Sequence, residues 1–323
     1  MCQKTRHPLI LLDTDIGCDC DDAGAMAVLH ALADMGETEI LAVTHTTSTP
    51  GGPACVDRIN RYYGRPGIPI GALEEDTFLA DKRYDVYGSK VAERFPGRYR
   101  DRREAMPAVP LMRRILSRQS SRKVTLVAIG QLRNIARLLQ SQADAFSEKS
   151  GIELVGAAVE QLVVMGGCFS SEDVFPPNFA EYNILCDVPS AQLVMRLCPC
   201  PVVFCGYEIG FHIRCGLPLL RQGGEDNPVR YCYLVHSDKP REAWDPATVL
   251  YAVRGLRDYW RASPAGIIEV TDDGVTVFRE SPGGLHRYLI PTMPAADIQR
   301  ELDELIVRPP LYRRQPLAAV LMR

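Results

Sequence analysis

Between residues 13 and 22 the chain reads Asp13-Thr-Asp15-Ile-Gly17-Cys-Asp19-Cys-Asp21-Asp22, which places five carboxylates in ten residues. Like charges held this close push one another's pKa upward and repel unless a cation balances them. A hard divalent ion, Ca²⁺ or Mg²⁺, is the matching partner because both prefer oxygen ligands. The plainer reading is a solvated acidic turn with Asp21 capping a helix. The flanks weigh against it, since the apolar run Pro8–Leu12 leads in and a helical pattern leads out. Farther along, Glu181 and Asn183 offer a carboxylate and an amide two residues apart, and Asp245 stands between Trp244 and Pro246. Taken alone, the former pair is also an ordinary polar turn. Asp245 is also a plain helix start, because Pro suits a first helical turn.

The elements around these residues follow from periodicity. Pro8 to Leu12 has no helical period and reads as a buried strand ending at Asp13. Ala25, Met26, Val28, Leu29 and Leu32 recur at helical spacing before Gly36, and Glu39–Thr44 is the next strand. Strand, acidic loop, helix and strand make a βαβ unit, which implies a parallel sheet with a right-handed crossover. The alternation continues with helix over 53–63 and strands over 68–71 and 123–128. Helix 132–140 follows, then strand 161–165 closed by Gly166-Gly167, helix 189–197, strand 201–205, a helix through 249–254 and another over 296–306. Ile267–Thr271 and Val275–Phe278 flank Asp272-Asp273-Gly274, a hairpin signal. The expected fold is α/β: one domain over residues 1–323, a mostly parallel open twisted sheet with helices on both faces, plus a small β-hairpin. Sites in such sheets lie beyond the carboxyl ends of the strands, where the acidic loop begins. Residues 64–110, rich in Arg, Tyr, Gly and Pro, read either as a surface excursion or as a lid over a site.

Composition narrows the function classes. With 46% hydrophobic and 24% charged residues in 323, the chain has the makeup of an ordinary globular protein rather than a disordered one. A net charge of -3 argues against a nucleic-acid partner, and the basic stretch Arg94–Arg103 reads as a solvated face. No run of 18 apolar residues and no leader pattern stands out, so no membrane partner and a cytoplasmic location are expected. Eleven cysteines without a CxxC then read as reduced, mostly core thiols.

Two familiar acidic loops fit poorly. An EF-hand needs an acid at its twelfth position, where Gly24 stands, and a helix in front, where this chain has a strand. A haloacid-dehalogenase-type phosphatase opens with DxDx(T/V) after a strand. LILLDTDIG begins that way, but Gly17 stands where Thr or Val belongs, so a Mg²⁺-dependent phosphatase with Asp13 as its nucleophile remains an alternative. The full pattern, strand-D-x-D-x-G followed by D-D-A opening a helix, resembles the nucleoside hydrolase family, the inosine-uridine-preferring N-ribohydrolases. Asp13, Asp15, Gly17, Asp21, Asp22 and Ala23 match it. Val127-Ala-Ile-Gly130-Gln-Leu-Arg-Asn134, Val163-Val-Met-Gly166-Gly167-Cys-Phe169, Glu181-Tyr-Asn183-Ile with Asp187, and Trp244-Asp245-Pro246 resemble the family's later segments in the same order.

This resemblance implies Ca²⁺-dependent hydrolysis of the N-glycosidic bond of ribonucleosides, a place in purine or pyrimidine salvage, and a homodimer or homotetramer. It implies one Ca²⁺ held by Asp15, Asp22, the carbonyl of Ile129 and the carboxylate of Asp245, with Asp15 as general base. Asp21, Asn178, Glu181, Asn183 and Trp244 would contact the substrate, and Asp13 and Asp19 stand as possible outer ligands. The chain departs from the family pattern in three places. Cys18-Asp19-Cys20 lengthens the acidic loop by two residues. Residues 43–53 lack the family's ribose-contacting Asn, with Thr47, Ser48 or Thr49 as substitutes. Trp244 replaces the His beside the last metal-binding Asp, which leaves His236, Tyr231 or solvent to protonate the base. Trp244 is similar to the stacking residue of purine-preferring members, so the expectation leans to purine nucleosides. A nucleoside- or ribose-binding homologue without turnover is the other alternative.

Overall fold

In the computed structural model, which describes residues 7–170, 175–176 and 178–314, the first apolar run forms β1 (Leu9–Thr14) with every residue buried. Its residues alternate between two cores: Ile10 and Leu12 face one, Leu9 and Leu11 the other. Burial on both faces is why the strand reads as an unbroken apolar run rather than an alternating one.

Ten further strands join β1 in one sheet: β2 (Glu39–His45), β3 (Ile70–Ala72), β4 (Met106–Pro107), β5 (Val124–Ala128), β6 (Val159–Met165), β7 (Val202–Cys205), β8 (Trp260–Ala262), β9 (Gly266–Val270), β10 (Thr276–Glu280) and β11 (His286–Pro291). The order is β10-β9-β11-β7-β6-β5-β1-β2-β3-β4, with β8 paired to β11. Every pairing from β4 across to β11 is parallel. The expected hairpin is β9–β10. Gly266 pairs with His286 of β11, so the hairpin extends the large sheet as its edge. A separate two-stranded ribbon pairs Arg214–Cys215 with Arg241–Glu242.

Four helices position the site: α1 (Asp21–Asp34), α2 (Arg133–Gln140), α3 (Tyr182–Leu185) and α4 (Trp244–Arg254). α1 is buried from Asp21 through Leu32, and α4 packs along it. The chain leaves β1 toward β2 on one side and returns to β5 on the other. This reversal opens a crevice at the carboxyl ends of β1 and β5. No helix among the described residues is long and apolar enough to cross a membrane.

Candidate active site

β1 ends at Thr14, so Asp15 is the first residue beyond the sheet, and α1 begins at Asp21. The loop between them is held from outside by residues 64–110. Gly17 N donates to Tyr87 Oη at 3.0 Å, and that hydroxyl donates to the Asp19 carbonyl at 2.6 Å. Val86 N donates to the Gly17 carbonyl at 2.7 Å. Gly17 has a φ of +140°, and a Cβ there would lie 3.1 Å from the Tyr84 carbonyl. The 64–110 segment is thus a brace for the acidic loop. It also reaches the cavity mouth, where Tyr182 Oη donates to Tyr84 Oη at 3.3 Å. Tyr87→Phe leaves a buried N–H without its acceptor. It should cost about 1–3 kcal/mol in urea unfolding, and an unchanged midpoint would contradict the bracing role.

The acids meet at a cavity of about 340 Å³ at the carboxyl ends of β1, β5 and β6. The first turns of α1 and α4 lie together, and Asp245 N donates to Asp21 Oδ2 at 3.2 Å. One oxygen from each of Asp21, Asp22 and Asp245 lies within 4.8 Å of the others. Asp22 Oδ1 accepts a short bond from Thr14 Oγ1. All three carboxyls are buried. Burial first, then the neighbouring acids, pushes each well above the ordinary carboxylate range. Two helix N-termini favour negative charge here, at roughly 0.3–1 kcal/mol each, which is small beside three buried carboxylates. Among the described residues, Arg241 is the one cation lining the cavity, and it is bound to Asp19. An all-oxygen cluster with this much uncompensated charge fits a hard divalent cation.

Asp15 lines the same cavity beside this trio. Its Oδ2 accepts from Gln131 Nε2 at 2.8 Å, and burial raises its carboxyl to about 6. A Cβ on Gly130 would come within 2.8 Å of Asp15 Oδ1, so only glycine admits Asp15 to this position. Ile129 also lines the cavity, and its carbonyl accepts from Asn183 Nδ2 at 3.5 Å. The metal set expected from sequence was Asp15, Asp22, Ile129 and Asp245. Among the described residues, carboxylate oxygens of Asp21, Asp22 and Asp245 lie within mutual ligand reach, and Asp15 lines the cavity next to Asp22.

Glu181 and Asn183 form the opposite wall. Glu181 caps α3, accepting from the backbone N–H groups of Asn183, Ile184 and Gly167, and burial lifts its carboxyl to about 7. Asn183 Oδ1 accepts from Gln131 Nε2 at 3.2 Å. Trp244 lines the cavity next to Asp245, stacked on Tyr207 with ring centroids 5.0 Å apart.

Other expected residues lie elsewhere. Asn178 is exposed and is not part of the cavity wall. Asp13 is fully buried behind the site, where its Oδ1 accepts from Thr44 Oγ1 at 2.6 Å and Asn134 Nδ2 at 2.9 Å. A phosphatase nucleophile would have to face the cavity, and Asp13 does not. Asp19 lines the cavity but is paired with Arg241. Thr47 bonds His45 and Thr49, and Ser48 donates to the Glu75 carbonyl. His236 stands 3.7 Å from Asp19 outside the cavity wall, and Tyr231 packs on Phe95. Sequence reasoning missed Tyr207 and Arg241 as wall residues, and Gln131, buried behind the wall, as the amide that holds Asp15 and Asn183. Gln131 and Tyr207 each follow a strand end by a few residues, which is the usable signal. Arg241 lies on a short ribbon that periodicity does not detect.

Comparisons with known proteins agree with this geometry. The profile of the inosine-uridine preferring nucleoside hydrolases matches residues 10–277. The pyrimidine-specific ribonucleoside hydrolase RihA of Shewanella sp. (strain ANA-3) is 30% identical over 208 residues, which is 62% of this chain and 59% of that protein. The chain therefore spans about three fifths of the length of that curated relative. Among solved structures, the plant nucleoside hydrolase PpNRh1 superposes with a TM-score of 0.69 at 18% identity, covering 94% of this chain and all of that one. The inosine-uridine preferring nucleoside hydrolase from Bacillus anthracis gives 0.65 at 16% identity, covering 93% and 99%. These likenesses establish a shared fold, and with the profile match they place this chain in the inosine-uridine preferring nucleoside hydrolase family.

Proposed function

We propose that this chain hydrolyses the N-glycosidic bond of ribonucleosides to ribose and free base, with one Ca²⁺ at the acidic centre. The observation that carries the reading is the meeting of Asp245 with Asp21 and Asp22 across more than 220 residues of sequence, around an otherwise uncompensated charge. Asp21, Asp22 and Asp245, with Asp15 and the Ile129 carbonyl at the margin, would hold the ion. When bound, the ion supplies the positive charge that balances these carboxylates and a seat for the vicinal 2′- and 3′-hydroxyls of a ribose.

The protein's own groups then divide the work. Asp15 is held at Oδ2 by Gln131 and takes a proton from the attacking water. Glu181 and Asn183, fixed by backbone N–H groups and by Gln131, grip the remaining sugar hydroxyls. As the bond to the base lengthens, the sugar takes on oxocarbenium character, as in glycoside hydrolysis generally. The ring of carboxylates stabilises that growing positive charge without reorganising. Trp244 and Tyr207, stacked on one another, supply the aromatic side of the cavity that would meet the base.

Gln131, buried behind the wall, ties the two sides of the site together, because one amide nitrogen reaches both Asp15 and Asn183. Gln131→Ala should lower kcat about 10- to 100-fold, since a hydrogen bond to a charged group is worth about 1.5–3 kcal/mol. Unchanged kinetics would remove it from the site. The lean to purines rests on Trp244, whereas the relative named above is pyrimidine-specific. Rates on inosine, adenosine, uridine and cytidine by purified protein with Ca²⁺ test both the activity and the preference. Absence of free base from every nucleoside, with binding retained, would favour a nucleoside-binding protein instead.

A further inference from the structure

Two departures from the family pattern, the lengthened acidic loop and the loss of the His before Asp245, meet at one side chain. Arg241 lines the cavity, and its guanidinium carbon stands 4.9 Å from the centre of the Trp244 ring. Asp19, at the centre of the lengthening, accepts from Arg241 Nε at 2.9 and 3.0 Å and from Nη2 at 2.5 Å. Glu242 Oε2 accepts from Nη1 at 2.7 Å. A guanidinium has five N–H groups in a fixed plane. These bonds leave one hydrogen on each terminal nitrogen while pinning the plane. Trp244 spends its indole N–H on the Tyr207 carbonyl at 2.9 Å, and no histidine among the described residues lines the cavity.

We propose that Arg241, held in place by Asp19, stabilises the negative charge that builds on the departing base, in place of a proton-donating histidine. The inference rests on the hydrolase reading. It follows from position: the sugar end is fixed by the acidic trio and Glu181, so the base lies against Trp244, and Arg241 is the positive charge at that wall. In the step, the bond from C1′ to the base nitrogen breaks and its electron pair stays on the base. Water oxygen bonds to C1′, and its proton passes to Asp15 and on to solvent. The base leaves as an anion paired with the guanidinium and takes its proton from solvent after departure. Arg241 itself neither gains nor loses a proton. Asp19 is a positioning residue: it aims the guanidinium and does not touch the substrate.

The test compares leaving groups. Arg241→Gln should lower kcat/KM on inosine or uridine about 10²-fold. On 4-nitrophenyl β-ribofuranoside, whose phenolate is stable without help, the loss should be below about threefold. The double variant Asp19→Asn with Arg241→Gln removes one charge of each sign and should show the same selective loss, which separates the effect from a disturbed acidic loop. Arg241→Lys should recover part of the nucleoside rate. Equal losses on both substrates in the single and double variants would overturn the proposal while leaving the hydrolase reading intact. Failure of the unaltered protein to cleave either substrate would overturn the hydrolase reading, and this proposal with it.

Discussion

Asp15→Asn should lower kcat on a nucleoside by about 10³-fold, within the 10²–10⁴ range typical of general-base help. KM should change little once Ca²⁺ is saturating, while Ca²⁺ affinity should fall modestly because one carboxylate charge beside the ion is lost. The substitution is nearly isosteric, and an amide oxygen can still accept from Gln131 Nε2, so the site keeps its shape. What is lost is the group that takes the proton from water. Asp15 suits that role because it lines the cavity next to Asp22, with one carboxylate oxygen tethered by Gln131. Initial rates measured with saturating Ca²⁺ check the expectation. Turnover within about tenfold of the unaltered protein would remove Asp15 from the base role.

Asp245→Asn should have opposite effects on function and on stability. Removing one member of a buried charged cluster should weaken Ca²⁺ binding on the order of 10²-fold or more. Without metal, the same change should stabilise the fold. The sign follows from the pKa directions. Burial and neighbouring acids hold Asp21, Asp22 and Asp245 above the ordinary carboxylate range in the folded protein. The folded state then binds more protons than the unfolded chain, so stability falls as pH rises from about 4 upward. Neutralising one acid flattens that fall. In chelator at pH 7 to 8 the variant should melt above the unaltered protein, and in excess Ca²⁺ below it. A variant that is less stable in both conditions would show that Asp245 is a structural cap and not a ligand.

Much of the frame was legible because strands buried on both faces leave unbroken apolar runs. β1, β5 and the Leu162–Met165 end of β6 are such runs, and each strand is legible to within two residues of its bounds. The acids at the ends of β1 and α1 were legible because they are adjacent in sequence and flanked by clear elements. β11 was not, since His286–Pro291 alternates buried, partly buried and exposed residues without a clean period. The helix Pro228–His236 was missed because its apolar residues are spread around it, although Asn227 caps it. Gln131 and Arg241 were invisible for a deeper reason. Gln131 matters through Asp15, 116 positions away, and Arg241 through Asp19, 222 positions away. Only the folded sheet shows that Arg241 lines one cavity with the acids and that Gln131 supports Asp15 from behind it. Asn178 is exposed and outside the cavity lining, and no periodic pattern in residues 175–180 signals which way its side chain faces.

The central claim is that distant carboxylates converge on one hard cation that seats a ribose diol. A crystal structure of the protein grown with Ca²⁺ and ribose tests it most directly. The expected result is one anomalous peak touching Asp22 and Asp245, with about seven or eight oxygens at about 2.3–2.6 Å, two of them from the sugar's vicinal hydroxyls. A cavity in which Asp21, Asp22 and Asp245 stay protonated and paired to one another, with the calcium bound elsewhere or not at all, would contradict it.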